Sequence, residues 1–373
     1  APRAACGRVF VRTAAGGERV RILYHHRTRG RHVEGVHIRG IVNALRALGH
    51  EVVVISFPGA DPERERSPQV AAVGAGRLAA AVARLPGVVF EVAELAYNVA
   101  TLWRVGAAIR AFHPELIYER YSLFLWASVW LARRRGVPII LEINDSALVQ
   151  RVRPLRLKGV ARRIERWCMH HCTGLVFISS YFRDQAIAAY ADIAPSVVSP
   201  NAADLARFDP ARFDRSRLRD AHGVANRVVC GHIGVFAHWH GMAAFVEAIA
   251  PRMREQPELT LLLVGDGVDL DPVRKTATAH RVSDRILLPG RVPHEDIPEW
   301  IACMDYAILP DSNEYGSPMK LFEFMAMGVA VVAPDYAPVV EVIEDAKTGW
   351  LFPRRDMATC VEQVLALAPR RAV

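Results

Sequence analysis

The chain has no apolar run long enough to cross a membrane. Its most apolar region, residues 78–109, is cut by Arg84, Pro86, Glu91, Glu94 and Arg104, whereas a spanning helix needs about 20 consecutive apolar residues. Residues 1–20 alternate Arg and Gly with small residues and lack an apolar centre, so no secretory signal is expected there. Cysteine is sparse: six in 373 residues, at positions 6, 168, 172, 230, 303 and 360. That scatter suits reduced thiols in a cytoplasmic protein, not a disulfide framework. Acidic residues are outnumbered, 39 Asp and Glu against 47 Lys and Arg, for a formal charge of +8. A basic balance favours anionic partners: nucleotides, phosphates, nucleic acid or acidic lipid. With 51% hydrophobic residues the chain is neither disordered nor collagen-like. At about 150 residues per domain its length suits two domains.

Residues 1–19 carry little pattern and are read as a loose leader. From Val20 the chain alternates short apolar runs with helical periodicity. Residues 20–24 and 51–56 read as buried strands. Between them Val36, Ile38, Ile41, Val42, Leu45 and Leu48 recur at helical spacing, and Gly49 stops the helix. A strand-helix-strand unit of this kind needs a right-handed crossover and hence a parallel sheet. Further strands are expected at 116–118, 138–141 and 174–178, with helices at 124–134 and 160–171. Residues 60–112 differ: a polar loop, then two apolar helical segments broken at Pro86-Gly87. They predict a helical insertion on the sheet, or else a membrane-surface helix, because apolar and basic residues interleave. Residues 195–228, rich in Pro, Asp and Arg, read as a linker. Alternation then restarts, with strands at 228–233, 259–264, 285–288, 306–309 and 329–333. Helices are expected at 242–253, after Asp271, and at 318–327. The expected fold is therefore α/β: two doubly wound Rossmann-like domains, 20–200 and 201–373, facing across a cleft. That cleft is the default ligand site.

The richest segment is DSNEYGSPMKLFEFMAMG, residues 311–328. Ser317 suits an N-cap, Pro318 a first helical position, and Gly328 a C-terminal stop. The first-turn amides and the helix dipole then make an anion site facing the cleft. Lys320 adds a positive charge in that turn. Glu323, one turn on, can accept two hydroxyl hydrogen bonds of the kind a ribose offers. Pyrophosphate at the helix start and ribose at Glu323 describe a nucleotide diphosphate. The plainer alternative is a capped helix with a Lys320–Glu323 surface pair.

This segment resembles the donor-binding region of retaining glycosyltransferases of the GT-B fold, particularly glycosyltransferase family 4. Other pieces resemble the family in order and spacing: Leu262-Leu263-Val264-Gly265-Asp266-Gly267, Leu288-Pro289-Gly290-Arg291-Val292, Ser199-Pro200-Asn201-Ala202-Ala203-Asp204 with Phe208, and Gly49-His50-Glu51-Val52. The resemblance covers roughly residues 20–360. It implies transfer of a sugar from a nucleotide diphosphate-sugar to an acceptor hydroxyl, with retention. UDP is the base favoured by the resemblance and GDP-mannose comes next. The acceptor, a glycan, lipid or small molecule, stays open. No cofactor or metal is implied. The resemblance further implies that the leaving phosphate takes the acceptor proton, so that no protein base is needed.

By the same resemblance Gly265, Arg291, Val292, Gly316, Ser317, Pro318, Met319 and Glu323 contact the donor. The chain also departs from the family. Of its usual two Glu residues eight apart, Glu323 fills the second position, but Tyr315 stands at the first, with Glu314 beside it as a slipped replacement. The family's Arg and Lys five apart are here Val235 and His240, in the form Phe236-Ala237-His238-Trp239-His240-Gly241. This resembles a branch that pairs such a loop with Ser-Pro-x-Lys. Lys320 is expected to take over part of the diphosphate neutralisation, with His240 donating a hydrogen bond. Relatives end in a helix crossing back onto the first half; here the chain runs about 20 residues past Pro353, so a short or missing one is expected.

In the first half, loop 25–35 matches the family's Gly-rich loop. Gly35 permits close backbone approach, and Arg27, Arg29, Arg31 and His32 make the loop basic, to hold an anionic donor or acceptor or simply as a solvated loop. Asn144 falls where many relatives have a histidine and is expected to orient a sugar hydroxyl, with carboxylates Glu142 and Asp145 nearby; a strand end plus helix cap is the alternative. Glu119 and Arg120 end another strand and read equally as acceptor contacts or as an ion pair. Arg151, Arg153, Arg156, Lys158, Arg162, Arg163 and Arg166 form the densest basic stretch, a solvated face or else a contact with an acceptor lipid or, peripherally, with the inner face of an acidic membrane. Cys168-Met169-His170-His171-Cys172 has no second ligand pair at zinc spacing, so no metal is expected. No nucleic-acid module is present. Two other readings stay open: a sugar-nucleotide epimerase, and a non-catalytic nucleotide-sugar or glycan-binding partner.

Overall fold

The computed structural model describes residues 19–28, 33–56, 87–149 and 154–368. The chain divides into two compact units, Ala1–Ser199 and Pro200–Val373. In the first, β1 (Arg21–His25), β2 (Glu51–Ile55), β3 (Leu116–Arg120), β4 (Ile139–Ile143), β5 (Gly174–Phe177) and β6 (Ser196–Val198) form one sheet in the order β2-β1-β3-β4-β5-β6. In the second, β7 (Val228–Ile233), β8 (Leu259–Val264), β9 (Ile286–Gly290), β10 (Tyr306–Ile308), β11 (Val331–Pro334) and β12 (Gly349–Phe352) run in the order β12-β11-β10-β7-β8-β9. All pairings of these strands are parallel. Two α/β units of doubly wound parallel sheet are thus observed, as the alternating pattern predicts.

A parallel sheet with helices on both faces buries both sides of its strands. In β8, Leu261 and Leu263 enter one cluster with Phe245, Val273 and Val364. Leu262 and Val264 enter the other, with Ile301, Leu309 and Phe324. In the first unit Ile22 and Tyr24 pack with Ile38, Val42 and Val52. Strand order reverses between β1 and β3 in one sheet and between β7 and β10 in the other. Ligands of open α/β sheets bind at the carboxyl ends of strands at such reversals.

Several element ends move from their expected places. The expected helix 242–253 is α-helical only over Met242–Ile249 and tightens to a 3-10 segment over Ala250–Glu255, because Pro251 has no N–H to continue the ladder. The expected helix 124–134 runs Ala127–Arg135. Phe124 takes φ 65°, and the Asn98 side chain accepts from Trp126 N (2.9 Å) and Ala127 N (3.0 Å), which sets the start. Of the expected insertion at 60–112, residues 60–86 lie outside the described residues, as do the leader residues 1–18. The remainder is a single helix, Gly87–Phe112. Its Glu91 carboxylate accepts from Arg156 N (2.7 Å) and Leu157 N (2.6 Å) and so ties down the chain just before the helix Lys158–His171. Its outer face leaves Val99 and Trp103 72% and 74% exposed, so its apolar character is only partly used by the core. Among the described residues no helix is long and apolar enough to cross a membrane. The final described helix, Met357–Leu367, packs into the core of the second unit through Cys360, Val361 and Val364.

Candidate functional site

In the second unit the loops after β7 and β8 are joined through their backbones. Gly234 N donates to Val264 O (3.0 Å), Phe236 N to Asp266 O (2.9 Å), Asp269 N to Phe236 O (3.0 Å) and Gly265 N to Gly290 O (2.9 Å). The approach is close enough to require glycine: a Cβ on Gly265, at φ +151°, would sit 1.8 Å from Gly234 O. Gly265 therefore fixes the wall of the site, and its own N–H is spent on Gly290.

Lys320 lies in the first turn of the helix Met319–Ala326. Its Nζ is 3.4 Å from Nε2 of His232, a fully buried residue on β7. The Nδ1–H of His232 donates to Ile308 O (2.9 Å). A carbonyl only accepts, so this partner assigns the lone pair to Nε2. His240 repeats the arrangement: Nδ1–H donates to Val235 O (2.6 Å), leaving Nε2 as an acceptor. The rings are 6.4 Å apart. Burial, then the Lys320 charge, push His232 well below the usual histidine range. The same two causes bring His240 down to about 4. Burial also lowers Lys320 to about 8, against a small upward pull from Glu323. At neutral pH the cluster holds one ammonium and two neutral imidazoles. The expectation that His240 donates a hydrogen bond to the donor changes accordingly: its only proton is committed to Val235.

The helix start is displaced by one residue. Pro318 is the N-cap, at φ −74° and ψ 115°, and Met319 is the first helical residue. Ser317 does not cap. Its Oγ accepts from Asn201 N (3.0 Å), and its carbonyl accepts from Asn201 Nδ2 (2.5 Å). The linker has claimed the hydroxyl that a local reading assigns to the helix. The stop is as expected: Gly328 takes φ +71°, and Val329 N returns to Phe324 O (2.9 Å). In the preceding loop Asn313 Oδ1 accepts from Tyr315 N (3.2 Å) and Gly316 N (2.5 Å). The Gly316 amide is thus engaged within the loop. Glu314 is half-exposed, 3.8 Å from Arg355.

Glu323 is buried and pairs with His294, not with Lys320: His294 Nε2 lies 3.0 Å from Glu323 Oε1. Arg207 Nη1 donates to His294 Nδ1 (2.8 Å), so the Nε2 proton points at the carboxylate. His294 thus holds one Glu323 oxygen, Oε1. Val292 is partly buried, packed against the apolar cluster that includes Phe324, and Arg291 is exposed. Sequence reasoning missed His232 and His294. The only local sign of His232 is a histidine within the otherwise apolar strand Val228–Ile233. Nothing local marks His294.

The first unit gathers the other candidates at the carboxyl ends of β1, β3 and β4. On one side His25 Nδ1 meets Glu119 Oε2 (2.5 Å) and Ser128 Oγ (3.2 Å), all buried. On the other, Glu142 Oε1 receives His37 Nε2 (2.5 Å), Arg120 Nη1 (3.2 Å) and Asn144 Nδ2. The register pairs His25 with Glu119 and Arg120 with Glu142, which places these side chains together. Burial works to raise Glu142, but the hydrogen bond and charge of His37, with Arg120 and Asn144, hold it below the usual carboxylate range. Arg27 bonds Glu94 Oε1 (2.5 Å). Asp145 Oδ1 accepts from Ser146 N (2.9 Å). Gly35 is not in a loop: the helix begins at Val33, with Glu34 in its first turn, where a carboxylate suits the dipole. Arg29, Arg31, His32, Arg151 and Arg153 lie outside the described residues. Cys168 and Cys172 are buried, their thiols directed at Leu125 O and Met169 O. Among the described residues no group of three or more His, Cys, Asp or Glu is placed to hold a metal ion.

Comparison with known proteins follows this division. Residues 34–202 match the family model for the glycosyl transferase 4-like domain, and residues 227–369 that for glycosyl transferases group 1. The chain is similar to alpha-D-kanosaminyltransferase of Streptomyces kanamyceticus, 25% identical over 70% of this chain and 66% of that protein. It is similar to the GDP-mannose-dependent alpha-(1-6)-phosphatidylinositol monomannoside mannosyltransferase of Mycolicibacterium smegmatis, 27% identical over 65% of this chain and 64% of that protein. The alignments thus span just under two thirds of each relative. The crystal structure of HepE of Anabaena in complex with UDP aligns with a TM-score of 0.63 at 18% identity, over 94% of this chain and 95% of that one. The fold is the GT-B fold, with two Rossmann-like domains.

Proposed function

Because both halves of the chain belong to glycosyltransferase domain families, 4-like over residues 34–202 and group 1 over 227–369, we propose that the protein moves a sugar from a nucleoside diphosphate-sugar to an acceptor hydroxyl, with retention at the anomeric carbon. The observation that carries this reading is Lys320. Lys320 is partly buried, the near partner of its ammonium is a neutral imidazole, and among the described residues no carboxylate pairs with it. A buried cation without a counter-ion is costly, and a diphosphate supplies the missing charge. The first-turn amides of the same helix have no intrahelical acceptors and add to the attraction.

In the reaction the bond from the anomeric carbon to the diphosphate oxygen breaks, and negative charge grows on the leaving phosphate. Lys320 stabilises that charge in place, which is worth most in a site shielded from water. The acceptor oxygen bonds to the anomeric carbon on the same face. Its proton passes to the leaving phosphate, so no protein base is required. His240, neutral and with its lone pair on Nε2, accepts a hydrogen bond from a sugar hydroxyl. Glu323, steadied by His294, accepts from the ribose through its remaining oxygen. Gly265, Arg291 and Val292 frame the base chiefly through backbone, and Ser317, Pro318 and Met319 carry the helix start to the phosphates. Acceptor recognition falls to the first unit, through Arg120, Glu142 and Asn144, with Glu119 and Arg27 beyond them. UDP is the favoured base, supported by the complex of HepE with UDP. GDP is next, supported by the relative named as GDP-mannose-dependent.

Calorimetric titration with UDP, GDP, ADP and TDP tests the reading. One nucleotide should bind saturably, and Glu323→Ala should weaken it and the matching nucleoside alike. Binding by none of the four would overturn the donor site and return weight to a non-catalytic glycan-binding protein.

A further inference from the structure

His232 is buried in the centre of the second sheet, beside the reversal of strand order, where an apolar residue would pack at less cost. Its Nδ1 proton is held by Ile308 O at 2.9 Å, and its Nε2 lone pair lies 3.4 Å from Lys320 Nζ. Phe236 closes the ring from one side, edge-on at 6.1 Å. Gly234, at φ +140°, leaves room for the ammonium: a Cβ there would lie 2.7 Å from Nζ. Resting on the donor site proposed above, we infer that His232 is a positioning residue, a neutral hydrogen-bond acceptor that aims the Lys320 ammonium at the diphosphate without cancelling its charge.

The choice of side chain follows from what the alternatives would do. A carboxylate in this position would hold the ammonium as firmly but neutralise it, leaving nothing for a diphosphate. An apolar side chain would leave a long flexible lysine to find its own rotamer, at an entropy cost on every binding event. A neutral imidazole whose other nitrogen is tied to backbone orients without competing. The groups that face the ammonium are consistent with this. His232 comes from β7 and His240 from the following loop, both neutral at physiological pH, while Glu323 on the lysine's own helix is turned to His294.

The two amides separate the two nitrogens. In His232→Gln the amide reaches the place of Nε2 and can accept from Lys320 while losing Ile308. In His232→Asn it reaches the place of Nδ1 and keeps Ile308 while losing Lys320. Calorimetry with the nucleoside diphosphate and with its parent nucleoside reads the phosphate increment alone. We expect His232→Asn to weaken the diphosphate about tenfold to a hundredfold and the nucleoside not at all, the range for a hydrogen bond to a charged group. His232→Gln should stay within about threefold of wild type, and His232→Glu should lose the diphosphate increment altogether. Equal effects of Asn and Gln, or equal loss of nucleoside and diphosphate, would overturn the inference in favour of a packing role.

A second readout needs no ligand. The pH dependence of Lys320 reductive methylation, followed by peptide mass spectrometry, should shift down in His232→Asn, stay in His232→Gln and shift up in His232→Glu. If wild type binds no nucleotide, the donor reading fails, and this profile still decides whether His232 acts on Lys320. An unchanged profile in all three variants would overturn it. Should His232→Glu fail to fold, the Asn and Gln pair decides.

Discussion

If Lys320 supplies the charge for a diphosphate, affinity must fall as the lysine loses its proton. Burial lowers its pKa to about 8, so about nine-tenths of it is charged at pH 7 and about one-tenth at pH 9. The diphosphate binds the charged form. Its dissociation constant should therefore be flat near neutrality and rise toward tenfold per pH unit above about pH 8.5. A terminal phosphate completes its own ionisation near pH 6, so titrations between pH 7.5 and 9.5 report the lysine. The parent nucleoside should show no trend there. In Lys320→Met the diphosphate curve should be flat and weak throughout. Affinity that stays constant to pH 9.5 in wild type would refute the assignment. A limiting slope near two would refute the neutral state of His240, because a second proton would then accompany binding.

The same shift has a consequence for stability. The folded-state pKa lies below the unfolded one, so the unfolded chain holds more protons between about pH 8 and 10.5, and stability rises with pH across that window. At neutral pH the charged lysine is a burden on the unliganded protein. Lys320→Met should relieve it by on the order of 2 kcal/mol, after allowance for partial exposure. That is an increase of roughly 4–8 °C in Tm for a unit of this size.

Three further outcomes are expected. Gly265→Ala places a Cβ 1.8 Å from Gly234 O at φ +151°. It should cost more than about 3 kcal/mol in chemical denaturation, and wild-type stability would contradict the close approach of the two loops. Glu91→Ala removes both acceptors for Arg156 N and Leu157 N. It should cost about 2–4 kcal/mol and expose the first turn of the helix Lys158–His171 to hydrogen exchange. Glu165 is buried, and burial raises it to about 7 against hydrogen bonds from Ser146, Ala147 and Tyr190. The folded state then keeps a proton that the unfolded chain releases above about pH 4.5, so stability falls as pH rises toward 7. Denaturation at pH 5 and 7.5 should differ by on the order of 2 kcal/mol in wild type and far less in Glu165→Gln.

The architecture was legible because parallel strands buried on both faces are written as short apolar runs, and their crossover helices as 3.6-residue periods. Val228–Ile233 and Leu259–Val264 needed nothing else. The site was legible where it is local: Pro318, Lys320, Glu323 and Gly328 all belong to one strand-loop-helix segment. It was illegible where partners are distant. Ser317 has every local quality of an N-cap, yet Asn201, 116 positions earlier, takes its hydroxyl. Glu323 and Lys320 stand at a spacing that invites a surface pair, but His294 and His232 reach them from other elements. His37, on the first helix, meets Glu142 across 105 positions. Such pairings are set by sheet order and register, which no local spacing encodes. Around Gly35 the polar, glycine-punctuated sequence reads as a loop, yet the helix already begins at Val33.

The most direct measurement follows the anomeric proton by NMR while the protein acts on UDP- and GDP-sugars with a supplied hydroxyl acceptor. The expected result is release of the nucleoside diphosphate with a product of unchanged anomeric configuration, lost in Lys320→Met. Inversion of configuration would contradict the same-face reaction. Turnover undiminished in Lys320→Met would contradict the account of the donor site.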